Sequence, residues 1–435
     1  MSMKLGSVPV LEVSSAKMTK EVLKTHDLTF SSRPKFISFQ KLSYNGLDVA
    51  FAPYGESWRE IRKICVLHLL SNKQVQSFTS LQEDEVFRMI TRISDLARSN
   101  HGHLTNLSET VLSFTSSLIC RIAFGKKIDG QESEIKKFHE LTHEADAMLG
   151  GLFVSDYLPS FSWVDKLSGM ATRLEKTFRN LDSFYQKLID EHLKPSRSKS
   201  TNKDILDLLI QLKEQQSCAV ELTLDHIKAV LMNIFIAGTD TSAATIIWAM
   251  TSLIKNPNAM KNVQAEIRYQ VGNKGRVDKD DLEKLPYLKA VIKESFRLYS
   301  ELRIKSRVTM KSCIIQRYEI QPRTLVYINA WGIARDPEYW ENPMEFWPER
   351  FLNSAVDIKG QDFGLIPFGS GRRNCPGMSL GLVTVELALA NLLYSFDWEL
   401  PRGMKAEDID SDVLPGITVH KKNALCLVPR NYLCT

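Results

Sequence analysis

Apolar residues recur at three- and four-residue spacing along most of this chain, which predicts a mainly α protein with a minor β part. The longest run, residues 229–250, carries one charge, Asp240. Thr223 is a candidate N-cap for it, and Asn256-Pro257 a stop. A helix apolar on most faces belongs in the middle of a large core. The run is also long enough to cross a bilayer. However, Asn233, Thr239, Asp240, Thr241 and Ser242 lie within it, and a carboxylate at the bilayer centre costs at least ~2.5 kcal/mol. A buried central helix is the better reading. A second amphipathic helix is predicted over residues 168–193, followed by an exposed Ser-, Lys- and Arg-rich loop at 195–203. Residues 1–13 alternate and predict a strand with Leu5, Val8, Val10 and Leu11 as its apolar members. Further short strands are predicted at 324–329 and 424–428.

Composition adds little of its own. The chain has 435 residues, 43% of them apolar, enough for a large core. A net charge of +5 without a basic stripe, only pairs such as Lys126-Lys127 and Lys421-Lys422, argues against nucleic-acid binding. The seven cysteines (Cys65, Cys120, Cys218, Cys313, Cys375, Cys426 and Cys434) are scattered and odd in number, and none forms a Cys-x-x-Cys pair. A disulfide framework or zinc site is not expected, and a reducing compartment fits. No signal peptide opens the sequence, and no internal repeat or low-complexity tract interrupts it.

The chemistry concentrates in residues 367–377, PFGSGRRNCPG. Glycines 369, 371 and 377 flank one cysteine, and two arginines precede it. Pro376 suits the first turn of a helix, so a helix is expected just after Cys375. Its N-terminus would stabilise a thiolate. Phe368, Gly371, Arg373, Cys375 and Gly377 match every fixed position of the haem-binding signature of cytochromes P-450, and the chain resembles that family from about residue 5 to 430. The resemblance implies a single domain over 1–435: a helix-rich prism with a long central helix over the haem and small sheets near the N-terminus. It implies haem b with Cys375 as iron ligand, Arg373 on a propionate and Phe368 shielding the sulfur. It also implies O2 as oxidant, with electrons from an NADPH-dependent reductase.

Three further motifs agree. Residues 237–242, AGTDTS, resemble the family's oxygen-activating segment. There Ala237 lines the substrate pocket, Thr241 can bond its i−4 carbonyl and open a groove, and Asp240 with Thr241 supplies an acid and a hydroxyl for proton delivery. Glu294 and Arg297 stand at i and i+3; in the family such a pair joins a later arginine, here Arg350 in FWPERF, in a buried structural network. Trp58 and Arg62, one turn apart, are donors suited to a carboxylate, and the family places them on a haem propionate.

Residues 25–34 and 330–337 resemble plant microsomal members, whose substrates include aldoximes, terpenoids and phenolics. This gives the expectation of a monooxygenase that inserts one oxygen atom into a small apolar organic molecule of plant secondary metabolism. Its expected place is the cytosolic face of the endoplasmic reticulum membrane. The family's N-terminal anchor and proline-rich hinge have no counterpart here, which fits a truncated chain held by apolar loops such as 152–163. A second departure is LYSELRIKSR at 298–307, which replaces a proline-rich loop. Its alternation predicts a strand with Leu302 and Ile304 on one face, toward the substrate, and the charges on the other. Arg307 sits where relatives hold a second propionate. Two alternatives remain at this point: a haem-thiolate isomerase or dehydratase without O2 activation, and an inactive haem-binding remnant. The reductase is expected to dock on the Cys375 face, with Arg59, Lys63 and Arg372 as a basic patch.

Overall fold

The long apolar run forms one helix, Leu224–Lys255. Its start is fixed by a capping box. The Thr223 side chain accepts from the His226 N–H, and the His226 ring accepts the Thr223 N–H. Its end is fixed by Pro257, which opens the next helix, Pro257–Val271. A computed structural model of the chain describes residues 1–99, 104–125, 132–195, 203–216 and 219–432. Lys126-Lys127, Cys218, Cys434 and most of the 195–203 loop lie outside them.

The central helix packs against helices Leu107–Phe124, Pro286–Leu298 and Met378–Ser395. Three of these four helices are long and apolar enough to cross a membrane by length and composition. The central one has 83% of its most apolar window buried inside the fold, so its composition serves the core. The second predicted helix is Met170–His192, with Leu174, Leu181, Tyr185, Leu188 and Ile189 turned inward.

Residues 1–13 are not one strand. Gly6 takes φ +58° and breaks the segment into the antiparallel hairpin Ser2–Leu5 and Val8–Val13. Val8–Val13 pairs in parallel with Leu325–Asn329, which pairs antiparallel with Ile304–Val308. A second sheet joins Thr105–Asn106, Cys426–Asn431 and Phe396–Glu399. The C-terminal strand starts two residues later than expected from sequence, and the β part draws on the N-terminal, 324–329 and C-terminal segments, as the pattern predicts.

The face expected for the 298–307 segment is inverted. Lys305 and Arg307 are the buried positions, and Ile304 is 56% exposed. Register explains this. Lys305 pairs with Ile328 and Arg307 with Val326, both fully buried, and paired residues share a face. Leu302 precedes the strand and is half-buried.

Candidate functional site

The cysteine loop is built by its glycines and one backbone bond. Gly371 takes φ +69°, and a Cβ there would stand 2.4 Å from Asp27 Oδ1 and 2.7 Å from Leu23 O, so only glycine fits. The Cys375 N–H donates to Phe368 O at 2.9 Å and closes the loop. Helix Met378–Ser395 follows directly, with Gly377 at its N-cap. Burial pushes the Cys375 thiol up, while the Gly377 N–H and the charges of Arg62 and Lys305 pull it down. A bound metal cation would remove that proton outright. Phe368 packs edge-on against Phe296, with ring centres 5.3 Å apart.

Cys375 lies at one wall of a cavity of about 330 Å³. Phe368, Ala237, Thr241, Leu302 and Ile304 line it as well. Ile304 thus reaches the cavity from the rim of the strand whose inner face is charged. Four arginines, Arg33, Arg62, Arg307 and Arg373, also line the cavity. Arg373 donates to Ser31 O (2.8 Å) and Ala52 O (2.6 Å), and Arg33 to Ala50 O (2.8 Å) and Ser306 O. Burial, and then repulsion from Arg33, lowers Arg373 to about 8; burial lowers Arg33 to about 10; and burial with repulsion from Arg33 and Arg373 drives Arg307 well below the guanidinium range. One buried carboxylate, Asp48, stands among them. It is occupied by the Phe51 and Ala52 N–H groups and by the Asn233 amide at 2.9 Å. Cations held by carbonyls, in excess over local carboxylates, fit a ligand that brings two carboxylates, as haem does with its propionates.

Trp58 plays another part than the one expected. Its indole N–H donates to Val49 O at 3.0 Å and is not free for a propionate. The Arg373 guanidinium lies 3.9 Å over its ring instead. Trp58 therefore holds an arginine of the site rather than a ligand. Arg62 bonds Asn374, the neighbour of Cys375.

On the central helix, Thr241 Oγ donates to Ala237 O at 2.5 Å, as the sequence suggests. The adjacent Gly238 has a packing role, since a Cβ there would stand 2.6 Å from Ile119 Cδ1 on helix Leu107–Phe124. Asp240 is not among the cavity-lining residues. Its carboxyl is turned toward Asp146 and His420, all three within 4.8 Å, and burial drives it well above the carboxylate range.

Glu294 and Arg297 are fully buried and paired at 2.7 and 2.8 Å. Arg350 joins through Nε at 3.2 Å from Glu294 Oε1. Sequence reasoning missed Asp48 and Asn233, which pin residues 48–52 to the central helix, and had no role for Glu301 or His420. Isolated polar residues carry no local pattern. Only the position of Asn233 within an apolar run hinted at one.

The fold and this cavity define a haem-dependent monooxygenase, an oxidoreductase that uses haem b, O2 and NADPH-derived electrons passed on by a redox partner to act on a small molecule. A family model for cytochrome P450 matches residues 1–428, and the chain belongs to the cytochrome P450 family. It is 50% identical to a 5-OH-xanthotoxin synthase of Pastinaca sativa, over all of this chain and 86% of that protein. It is 47% identical to cytochrome P450 71A1 of Persea americana (99% and 86%) and to a strychnine-11-hydroxylase of Strychnos nux-vomica (100% and 85%). A zebra fish cytochrome P450 solved with progesterone shares the fold at TM-score 0.84 and 24% identity, covering 99% of this chain and 95% of that one.

Proposed function

We propose that Cys375 Sγ ligates the haem iron and that Arg62, Arg307 and Arg373, with Arg33, hold the propionates. The observation that carries this is the placement of Cys375 in the wall of one cavity shared with four arginines and Thr241. Bound there, the haem supplies reductive activation of O2, and a thiolate ligand favours O–O cleavage. The Gly377 N–H tunes the sulfur. Phe368 screens it from solvent, and Arg373 is held flat by Trp58. Asp240 and Thr241 deliver protons at the cavity wall, Thr241 directly and Asp240 from behind it. Glu294, Arg297 and Arg350 keep the cysteine loop's supporting segments together. All of this belongs to a single domain over 1–435.

The substrate is a small apolar organic molecule of plant secondary metabolism. It is bound against Ala237, Leu302 and Ile304, where one oxygen atom is inserted. The named activities of the relatives, a 5-OH-xanthotoxin synthase and a strychnine hydroxylase, support the compound class. The redox partner is NADPH-cytochrome P-450 reductase at the cytosolic face of the endoplasmic reticulum. Leu152, Leu158, Phe161 and Trp163, exposed by 40–72%, form an apolar patch for peripheral membrane contact. The test is the reduced, CO-bound difference spectrum of Cys375→Ser. The parent is expected to show the thiolate band and the variant to lose it; a variant that keeps the band refutes the assignment.

A further inference from the structure

Asp240 Oδ2 is buried and has no hydrogen-bond partner among the described residues. A buried polar atom left unpaired is costly, so its persistence calls for a reason. Nε2 of His420 lies 4.0 Å away. Asp146 completes a cluster in which the three ligating atoms lie within 4.8 Å of one another. The members differ in exposure. The Asp240 side chain is 5% exposed, that of His420 21%. His420 is therefore the more exposed of the two, while Asp240 sits behind the cavity, next in sequence to Thr241, which lines it.

The segment that carries His420 is pinned on all sides. Trp248 Nε1 donates to Val419 O at 2.8 Å, Val419 N–H to Glu301 O at 2.9 Å, Thr418 N–H to Asp146 Oδ1 at 3.0 Å, and Leu414 N–H to His420 O at 3.0 Å. The ring is thus held at the back of the central helix. The titratable groups facing it are Asp240 from that helix and Asp146 and His143 from helix Glu132–Leu149. On its own segment, Lys421 is engaged by Asp410 at 2.9 Å.

We propose that His420, positioned with Asp146, is the entry of a proton path from solvent to Asp240 and so to Thr241. This rests on the acid–alcohol reading of Asp240 and Thr241 given above. The Asp240 O–H bond breaks as its proton forms a new O–H bond on Thr241 Oγ, and the proton that Thr241 carried leaves into the cavity for the oxygen being reduced there. The His420 Nε2–H bond then breaks as that proton forms a new O–H bond on Asp240 Oδ2. Nδ1 takes up one proton from solvent, and exchange with water restores the tautomer. One proton enters for each one delivered, and no electron moves. A distance of 4.0 Å is too long for a standing hydrogen bond. The path therefore requires the unpaired Asp240 carboxyl to rotate between His420 and Thr241. Asp146 keeps the proton on the Asp240 side, since its charge opposes a second carboxylate there.

At neutral pH the two supporting groups differ, Asp146 carrying its charge and His420 being neutral. Burial raises Asp146 to about 6, against the pull of the Thr418 hydrogen bonds. Burial, and then His143, lowers His420 to about 4, so the resting ring is neutral and able to pass a proton through.

The test uses the resting haem-loaded protein and follows the infrared carbonyl band of protonated Asp240, assigned by its loss in Asp240→Asn. On transfer to D2O the band is expected to shift promptly in the parent and an order of magnitude or more slower in His420→Gln. In the reductase-driven reaction, His420→Gln should raise the share of NADPH oxidation that ends as peroxide several-fold and enlarge the solvent isotope effect. Unchanged exchange and unchanged partitioning in His420→Gln overturn the path. If Thr241→Ala still raises peroxide in that case, the acid–alcohol reading stands and only the entry is wrong; if it does not, both fall. Should His420→Gln fail to load haem, Asp146→Asn carries the same measurements, with a lowered Asp240 proton affinity expected and an unaltered one refuting the cluster.

Discussion

The Thr245 hydroxyl donates to Glu301 Oε1 at 2.7 Å, inside the cavity and one helical turn beyond Thr241. Burial pushes the Glu301 carboxyl up to about 7, opposed by the Thr245 bond and by Lys305. A folded carboxyl that keeps its proton where the unfolded chain has released it lowers stability as pH rises. For Glu301 the window runs from 4.5 to about 7. Integrated over it, the loss is on the order of 3 kcal/mol. Glu301→Gln keeps the contact to Thr245 without the ionisation. It should melt above the parent at pH 8, with the gap closing as pH falls toward 5. Thermal melts across that range check this; a gap independent of pH would show that Glu301 is already compensated.

Within the buried network the hub is Arg297, not Arg350. Arg297 donates to both Glu294 oxygens and to the carbonyls of Ala334, Pro343 and Glu345. Arg350 gives Glu294 one bond, and its other donors go to the outer carbonyls of Glu341 and Asn342. Removing one partner of a buried ion pair costs about 3–5 kcal/mol. Arg350→Leu should fall in or below that range and still load haem at reduced temperature. Arg297→Lys should yield no soluble holoprotein, because an ammonium cannot reach five acceptors. Haem content per chain and urea midpoints separate the two.

Haem removal should turn the arginine wall into a liability. Arg33 depresses both Arg307 and Arg373, and Arg373 depresses Arg307, with Asp48 and Asp27 opposing among the described residues. The apoprotein should therefore gain more from added salt than the holoprotein, in which the propionates supply the missing charge. Salt screens such repulsion over roughly 8–10 Å at physiological strength. Melting both forms from low to moderate salt tests this; equal salt responses would mean the arginines are neutralised otherwise.

How much of this was legible beforehand depended on whether the signal was local. The N-cap at Thr223, the stop at Pro257 and the glycines around Cys375 act within a few residues, and each lies where the pattern put it. The face of the 298–307 segment was not legible, because it depends on register with Leu325–Asn329, far along the chain. Alternation of apolar residues suggested that Ile304 turns inward; pairing with Val326 and Ile328 buries the cations instead. Trp58 was misplaced for a similar reason. The one-turn spacing to Arg62 is real, but Val49 takes the indole N–H first. The turning of Asp240 away from the cavity could come only from the arrival of Asp146 and His420 behind it.

The last prediction concerns where electrons enter. Helix Glu56–Ile64 buries Trp58, Ile61 and Ile64 and turns Arg59 and Lys63 outward. From the same helix Arg62 bonds Asn374, beside Cys375, so its outer face lies a short way from the sulfur. Arg372, also exposed, is engaged by Asp27 at 3.1 Å, and Lys63 reaches Glu60 only at 3.4 Å. Arg59 and Lys63 are therefore the more available charges for an acidic flavoprotein surface. Charges at a rim mainly steer association, and salt weakens them. Arg59→Glu combined with Lys63→Glu should slow haem reduction by reductase roughly tenfold or more at low salt. The difference should fade as ionic strength rises, and the CO-bound spectrum and melting temperature should stay as in the parent. Stopped-flow reduction at several salt concentrations measures this. A double variant reduced as fast as the parent, with the same salt slope, would place the docking face elsewhere.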